Sequence, residues 1–221
     1  MISGVLNVNK PSGMTSHDVV NTVRRKLKMR RVGHAGTLDP LATGVLIILL
    51  GKSTKLFDKF SFFDKGYQAT LTLGLITTTA DIEGKILKRM PYDHVTRDHT
   101  EEVLRKFVGE IEQVPPMVSA VKFQGKRLYQ LARKGLEVPR EPRRIKIDSL
   151  NLENFSLPYV SFSVECSKGT YVRKLAEDIG ELLGCGACIS QIRRTRVGPF
   201  SIETSIALES VDESHIRNWQ G

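Results

Sequence analysis

Apolar and polar positions along this chain follow two rhythms, one of period two and one near 3.6, which alternate often enough to predict a mixed α/β fold. Val5, Leu6 and Val8 mark a short strand that stops at Asn9-Lys10-Pro11-Ser12-Gly13, a loop by its Pro and Gly content. Thr15-Ser16-His17-Asp18 has the spacing of a capping box and opens a helix, on which Val19, Val23 and Leu27 recur every four residues. Gly33-His34-Ala35-Gly36 reads as a glycine-rich turn leading into Thr37-Leu38-Asp39-Pro40. The unbroken run from Val45 to Leu50 has the length and aliphatic content of a buried strand. Tyr67, Ala69, Leu71, Leu73 and Leu75 alternate with polar or small residues, the pattern of a half-buried strand.

Further on, Val103, Leu104, Phe107 and Val108 predict a short helix that ends before Pro115-Pro116. Leu150 to Phe155 and Val160 to Cys166 read as two strands around a turn at Ser156-Leu157-Pro158. The strongest helix runs from Thr170 to Gly184, with Val172, Leu175, Ala176, Ile179, Leu182 and Leu183 on one face and Gly184 as the stop. Ile189 to Leu208 reads as further strand and loop. No repeat or low-complexity tract interrupts this order, so 221 residues are expected to form one domain. Apolar residues are 40% of the chain and no apolar run exceeds six residues, which excludes a helical membrane span. The first residues lack a signal pattern and the three cysteines are odd in number, so a reduced, cytoplasmic setting is expected.

Charge divides the chain further. Residues 1–60 carry ten Lys/Arg against three acids, and residues 115–150 carry nine against three; the two stretches between and after are slightly acidic. Two basic blocks suggest a polyanion held at two places, and nucleic acid fits better than a membrane, because neither block forms a long amphipathic helix. The second block holds four of the nine prolines and reads as a protruding insertion at about 115–145, folding firmly only on a partner, with a short helix near Leu128 to Lys134.

Most familiar chemistries are excluded by what is missing. Gly33-His34-Ala35-Gly36 lacks the Lys-Ser/Thr of a phosphate loop, the five histidines have no metal-ligand spacing, and no Gly-x-Ser-x-Gly elbow occurs. Cys185 and Cys188 form a single Cys-x-x-Cys without the second pair that zinc needs, which favours packing over ligation. What remains is Asp39, a carboxylate between a glycine-rich turn and a proline in a basic surround. Such a group stays ionised, as a nucleophile or base must, although an Asp-Pro turn also has an ordinary structural use.

Gly33 to Leu46 (Gly33-His34-Ala35-Gly36-Thr37-Leu38-Asp39-Pro40-Leu41-Ala42-Thr43-Gly44-Val45-Leu46) closely resembles the catalytic signature of the TruB family of tRNA pseudouridine synthases. Four more segments agree in order: Asn9 to Ser16, the strand from Lys65-Gly66-Tyr67, Pro115-Pro116 through Ser119-Ala120 to Gly125 and Tyr129, and Ser167-Lys168-Gly169-Thr170-Tyr171-Val172-Arg173. The resemblance spans about residues 4 to 200. It implies the pseudouridine synthase fold, a mixed and largely antiparallel sheet flanked by helices, with the insertion as a thumb. It implies isomerisation of uridine to pseudouridine at position 55 of the tRNA T-loop, with no metal or cofactor, by a cytoplasmic monomer without an obligate protein partner.

By the same resemblance Asp39 is the essential carboxylate, and attack at C1′, attack at C6 and removal of the C2′ proton all stay open. Arg173 would pair with Asp39, and Tyr67 would stack on the target base. His34 would wedge into the stack that the flipped base leaves, and Tyr171, Ile192 and Lys10 would complete the substrate contacts. Arg24, Arg25, Arg30, Arg31, Lys122, Lys126, Arg143 and Arg144 would neutralise phosphates rather than read bases. Three departures stand out. Thr77-Thr78-Thr79-Ala80-Asp81 replaces a Thr-Asp-Thr-x-Asp pattern, a change expected to weaken a loop contact and spare the chemistry. Cys188 stands where many members have histidine, and the extra C-terminal RNA-binding domain of bacterial relatives is not expected here. Two other readings remain beside the enzyme: an RNA chaperone that opens the tRNA elbow, and the catalytic subunit of a guide-RNA-dependent synthase.

Overall fold

The computed structural model describes residues 2–219 except Ala120 and Arg133, and it does not describe the side chain of Lys122. Ala120 of the insertion motif, the Lys122 phosphate contact and the terminal Gln220-Gly221 therefore lie outside the described residues. The strands, in chain order, begin with β1 (Gly4–Lys10), β2 (Val32–Ala35), β3 (Thr43–Leu50), β4 (Lys65–Leu73), β5 (Leu75–Thr77), β6 (Ile86–Arg89) and β7 (Gly109–Gln113). They continue with β8 (Lys122–Phe123), β9 (Lys126–Arg127), β10 (Arg143–Ser156), β11 (Tyr159–Cys166), β12 (Ala187–Val197), β13 (Phe200–Ser201) and β14 (Ile206–Ala207). The helices are α1 (Ser16–Lys26), α2 (Phe57–Ser61), α3 (Arg97–Arg105), α4 (Leu128–Ala132) and α5 (Val172–Leu182). The expected mixed class holds, and most strand pairs are antiparallel. None of the described helices is long and apolar enough to cross a membrane.

The described residues group into two compact units where one domain is expected from sequence. The first comprises residues 1–67 and 192–221, the second residues 68–191.

In the first unit β3 is the central element, and its composition dictates that. Seven of its eight residues are buried, so it needs neighbours on both edges and cover on both faces. β1 lies antiparallel along one edge, from Gly4 opposite Leu50 to Lys10 opposite Gly44. The other edge is shared: β2 covers Ile47 to Leu50, and the end of β12 runs parallel beside Thr43 and Gly44. This demand for a partner explains why Val32–Ala35 is a strand, where glycine content predicts a turn. Val45, Ile47 and Leu49 pack on Phe60, Val197 and Phe200, with Trp219 closing the cluster against Phe60 at a ring separation of 5.0 Å. α1 starts at the expected capping box. Thr15 Oγ1 accepts from Asp18 N, and the Asp18 carboxylate accepts from Thr15 N at 2.9 Å. The Thr15 hydroxyl also donates to the Asp18 carboxylate, at 2.6 Å, and this bond, with the one from Thr15 N, holds the Asp18 carboxyl below its ordinary pKa.

The second unit is built on the order β4-β11-β10-β7. β4 is more buried than simple alternation suggests, since Thr72 is enclosed along with Leu71 and Leu73. β10 starts at Arg143, seven residues before the expected Leu150, because its first residues pair with β7. α5 buries Val172, Leu175, Ala176 and Ile179 as predicted, while Leu182 is half exposed. Gly180 permits this packing: a Cβ there would sit 2.2 Å from the Ala187 nitrogen at the start of β12. The insertion has structure of its own. A small β8–β9 hairpin leads into α4, Leu128 is buried, and Arg140 donates to the Pro115 carbonyl at 3.1 Å to close the base.

Candidate active site

Asp39 lies in the seven-residue connection between β2 and β3, residues 36–42. It is partly exposed, while the Leu38 side chain before it is buried and pulls the backbone down. Such a short loop has few bonds of its own: Ala42 N donates to the Asp39 carbonyl at 3.1 Å. The rest of its support comes from side chains elsewhere in the first unit. Ser16 Oγ accepts from Leu38 N at 2.8 Å and lies 3.1 Å from the Leu38 carbonyl, so one hydroxyl grips both polar groups of a residue next to Asp39. Lys10 is fully buried, and its Nζ donates to the carbonyls of Pro11, Met14 and Pro40. Gly13 N also donates to Pro40 O at 2.9 Å. Lys10 is expected among the substrate contacts; the structure places its ammonium beneath the loop, on the carbonyl next to Asp39.

Arg194 completes this support, and no sequence signal marked it. Its side chain is 2% exposed. Nε donates to Val45 O at 2.7 Å and Nη2 to Gly36 O at 3.1 Å. Gly44 sits against its backbone with φ +101°, and a Cβ on Gly44 would fall 2.2 Å from the Arg194 carbonyl oxygen. Gly44→Ala therefore combines left-handed strain with a backbone clash, and should destabilise the protein by roughly 2–3 kcal/mol or more. The midpoint of a urea titration checks this; an unchanged midpoint would contradict the packing described.

His34 is in β2 opposite Ile48, so it is a half-buried strand residue rather than a turn residue. Tyr67 is buried in β4 at 9% exposure, and Ile192 is half-buried in β12. These three belong to the first unit with Lys10 and Asp39, whereas Tyr171 and Arg173 belong to the second.

In the second unit Tyr171 and Arg173 flank the start of α5. Gln113 at the end of β7 fixes Tyr171 through both backbone groups: its Oε1 accepts from Tyr171 N at 2.8 Å, and its Nε2 donates to Tyr171 O at 3.1 Å. Arg173 is 5% exposed, so a charge is buried and needs partners. Its Nη1 donates to Thr79 O at 2.7 Å and lies 3.6 Å from the Asp81 carboxylate, and its Nη2 donates to Val118 O at 2.8 Å. Asp81 is itself held by Thr79 Oγ1 at 2.6 Å and Glu83 N at 3.1 Å. The 77–85 loop thus carries a buried carboxylate that faces a buried cation. Thr78, at the departure from the family pattern, makes a loop contact: its Oγ1 accepts from Lys85 N at 3.1 Å, a neutral bond and so a weaker one than a carboxylate would accept.

All three cysteines are buried. Burial, helped by the negative charge of Asp81, pushes the Cys188 thiol up to about 11, and burial raises Cys185 as well. Both are neutral thiols at pH 7, as a packing role requires. Among the described residues no group of three or more His, Cys, Asp or Glu is placed to hold a metal ion.

The family model described as TruB family pseudouridylate synthase (N terminal domain) matches residues 24–172, and that of the tRNA pseudouridylate synthase B C-terminal domain matches residues 173–219. The tRNA pseudouridine synthase B of Clostridium tetani is 50% identical over 218 residues, 99% of this chain and 75% of that protein. That of Clostridium kluyveri is 51% identical over 97% of this chain and 74% of its own length. Among solved structures, a Cbf5-Nop10-Gar1 complex contains a chain with TM-score 0.74 and 35% identity, covering 93% of this chain. An H/ACA RNP bound to a substrate RNA containing 2'-deoxyuridine gives 0.69 and 30%, again over 93%. This chain spans about half the length of those two solved chains. The fold is that of a pseudouridine synthase. The chain belongs to the TruB family.

Proposed function

We infer that the protein isomerises uridine to pseudouridine in tRNA, at position 55 of the T-loop. The observation that carries this is the Asp39 loop: a partly exposed carboxylate on backbone gripped by Lys10 and Ser16, within the sequence that the family shares. Asp39 acts as the carboxylate of the reaction and Arg173 as its guanidinium, with Tyr67 stacked on the base. His34, Tyr171 and Ile192 receive the flipped nucleotide, and Lys10 serves it indirectly by holding Pro40. The reaction breaks the N1–C1′ bond, turns the uracil and joins C5 to C1′, while C5 loses a proton and N1 gains one. Nothing is oxidised or consumed, so the balance calls for no cofactor. A carboxylate beside C1′ stabilises the cation-like sugar in any bond-cleaving route.

The exposed cations Arg25, Arg30, Arg31, Lys126, Arg143 and Arg144 serve the RNA backbone. Binding of a T-stem-loop should therefore weaken steeply as salt rises, by roughly 10³-fold or more between 50 and 200 mM if six phosphates are neutralised. A flat response in a filter-binding titration would remove these blocks from the interface. The enzyme acts in the cytoplasm as a monomer without an obligate protein partner. A second reading is favoured by the solved relatives, which were determined in complexes that include an H/ACA RNP. Incubation with an unmodified T-stem-loop, followed by carbodiimide mapping, separates the two. Product without guide RNA or partner proteins supports the stand-alone enzyme, and product only with them supports the guided one.

A further inference from the structure

We propose that Arg194 is a positioning residue of the reaction, one that fixes both ends of the loop carrying Asp39. The proposal rests on the functional reading above. At the first end of the loop, Nη2 of Arg194 bonds Gly36 O at 3.1 Å and Nη1 lies 3.5 Å from Thr37 O. At the other end, Nε bonds Val45 O at 2.7 Å, and the Arg194 backbone lies in register with Gly44, close enough to exclude a Cβ. One residue therefore touches positions 36, 37, 44 and 45, and Asp39 lies between the two pairs.

The chemistry of the side chain argues against simple filling. Its guanidinium is buried, and among the described residues its polar partners are main-chain carbonyls, with no carboxylate in ion-pair contact. Burying a cation this way carries a desolvation cost that Leu or Met of similar volume would not. What the guanidinium adds is geometry: a rigid planar fork spans two carbonyls on opposite ends of a loop, which a lysine ammonium on a flexible stem cannot do. Lys10 and Ser16 hold the middle of the same loop, at Pro40 and Leu38. Arg194 sets the frame within which they act, and hence the direction of the carboxylate. A displacement of about 1 Å at a reacting group costs on the order of a hundredfold in rate.

The test compares wild type with Arg194→Lys on an unmodified T-stem-loop. Single-turnover rates are taken at saturating RNA and counted per RNA-binding-competent molecule, so that unfolded enzyme does not contribute. We expect isomerisation at least tenfold slower, with the dissociation constant for the stem-loop within threefold of wild type. A wild-type rate in the lysine variant overturns the proposal, as does a loss confined to binding. If the lysine variant does not fold, the unaltered protein decides by NMR. The Nε–H of Arg194 should be as ordered as the backbone and slow to exchange with water, and a mobile, fast-exchanging group overturns the proposal. A wild-type protein inactive on the stem-loop is a different failure, that of the functional reading, and is seen before any variant is made.

Discussion

Asp39→Asn should abolish pseudouridine formation, lowering turnover by about a thousandfold or more, which corresponds to roughly 4 kcal/mol of barrier. The change is isosteric, and the contacts that shape the loop run through its backbone and through Lys10, Ser16 and Arg194. The loop should therefore keep its form, and the affinity for a T-stem-loop should fall by less than about tenfold, since phosphate contacts dominate binding. The measurement is a pair: single-turnover isomerisation, and equilibrium binding of the same RNA. Unchanged turnover would remove the enzymatic reading and leave an RNA-binding module that opens the tRNA elbow.

The second large effect is expected at Arg173. Arg173→Ala takes away the cation 3.6 Å from the Asp81 carboxylate and strips a donor from each of two carbonyls, Thr79 O and Val118 O. Asp81 is 5% exposed, so its charge would be left in a poorly solvated place. Breaking a buried pair from one side costs roughly 3–5 kcal/mol, a large part of the stability of a domain. Arg173→Lys tests the site without that penalty. It keeps the charge near Asp81 but loses the fork across two carbonyls, so it should fold, bind RNA and turn over at least tenfold more slowly. Thermal unfolding read beside single-turnover rates separates the two variants. An alanine variant as stable as wild type would show that the pair with Asp81 carries no weight.

How much of this was legible in the sequence depended on how local each signal was. The Thr15 capping box, the apolar run of β3 and the face of α5 are written within a dozen residues each, and the structure places them as read, except that Leu182 of α5 stays half exposed. β2 was not legible, because its strand state comes from the open edge of β3 and not from its own glycine-rich composition. β7, with the sequence Gly-Glu-Ile-Glu-Gln, has too few apolar residues to announce itself and exists by pairing with the first half of β10. The β5–β6 hairpin is similar, with all four residues of β6 exposed. In the site, Asp39 and Arg173 were found through motifs. Arg194 was not, because a buried arginine in a strand of mixed polarity looks like any solvated one until its carbonyl partners are seen. Gln113 escaped for the same reason, since it acts on a residue 58 positions on, and Asp81 stood out as a motif position without its ion pair with Arg173.

The Gly36–Arg194 bond has a temporal meaning. Its two residues are 158 positions apart, so during synthesis the acidic loop leaves the ribosome long before the strand that anchors it. Closing so long a connection comes late in folding, after local helices and hairpins have formed. A chain that stops short of β12 therefore displays the aspartate without the Arg194 bonds that tie down both ends of its loop.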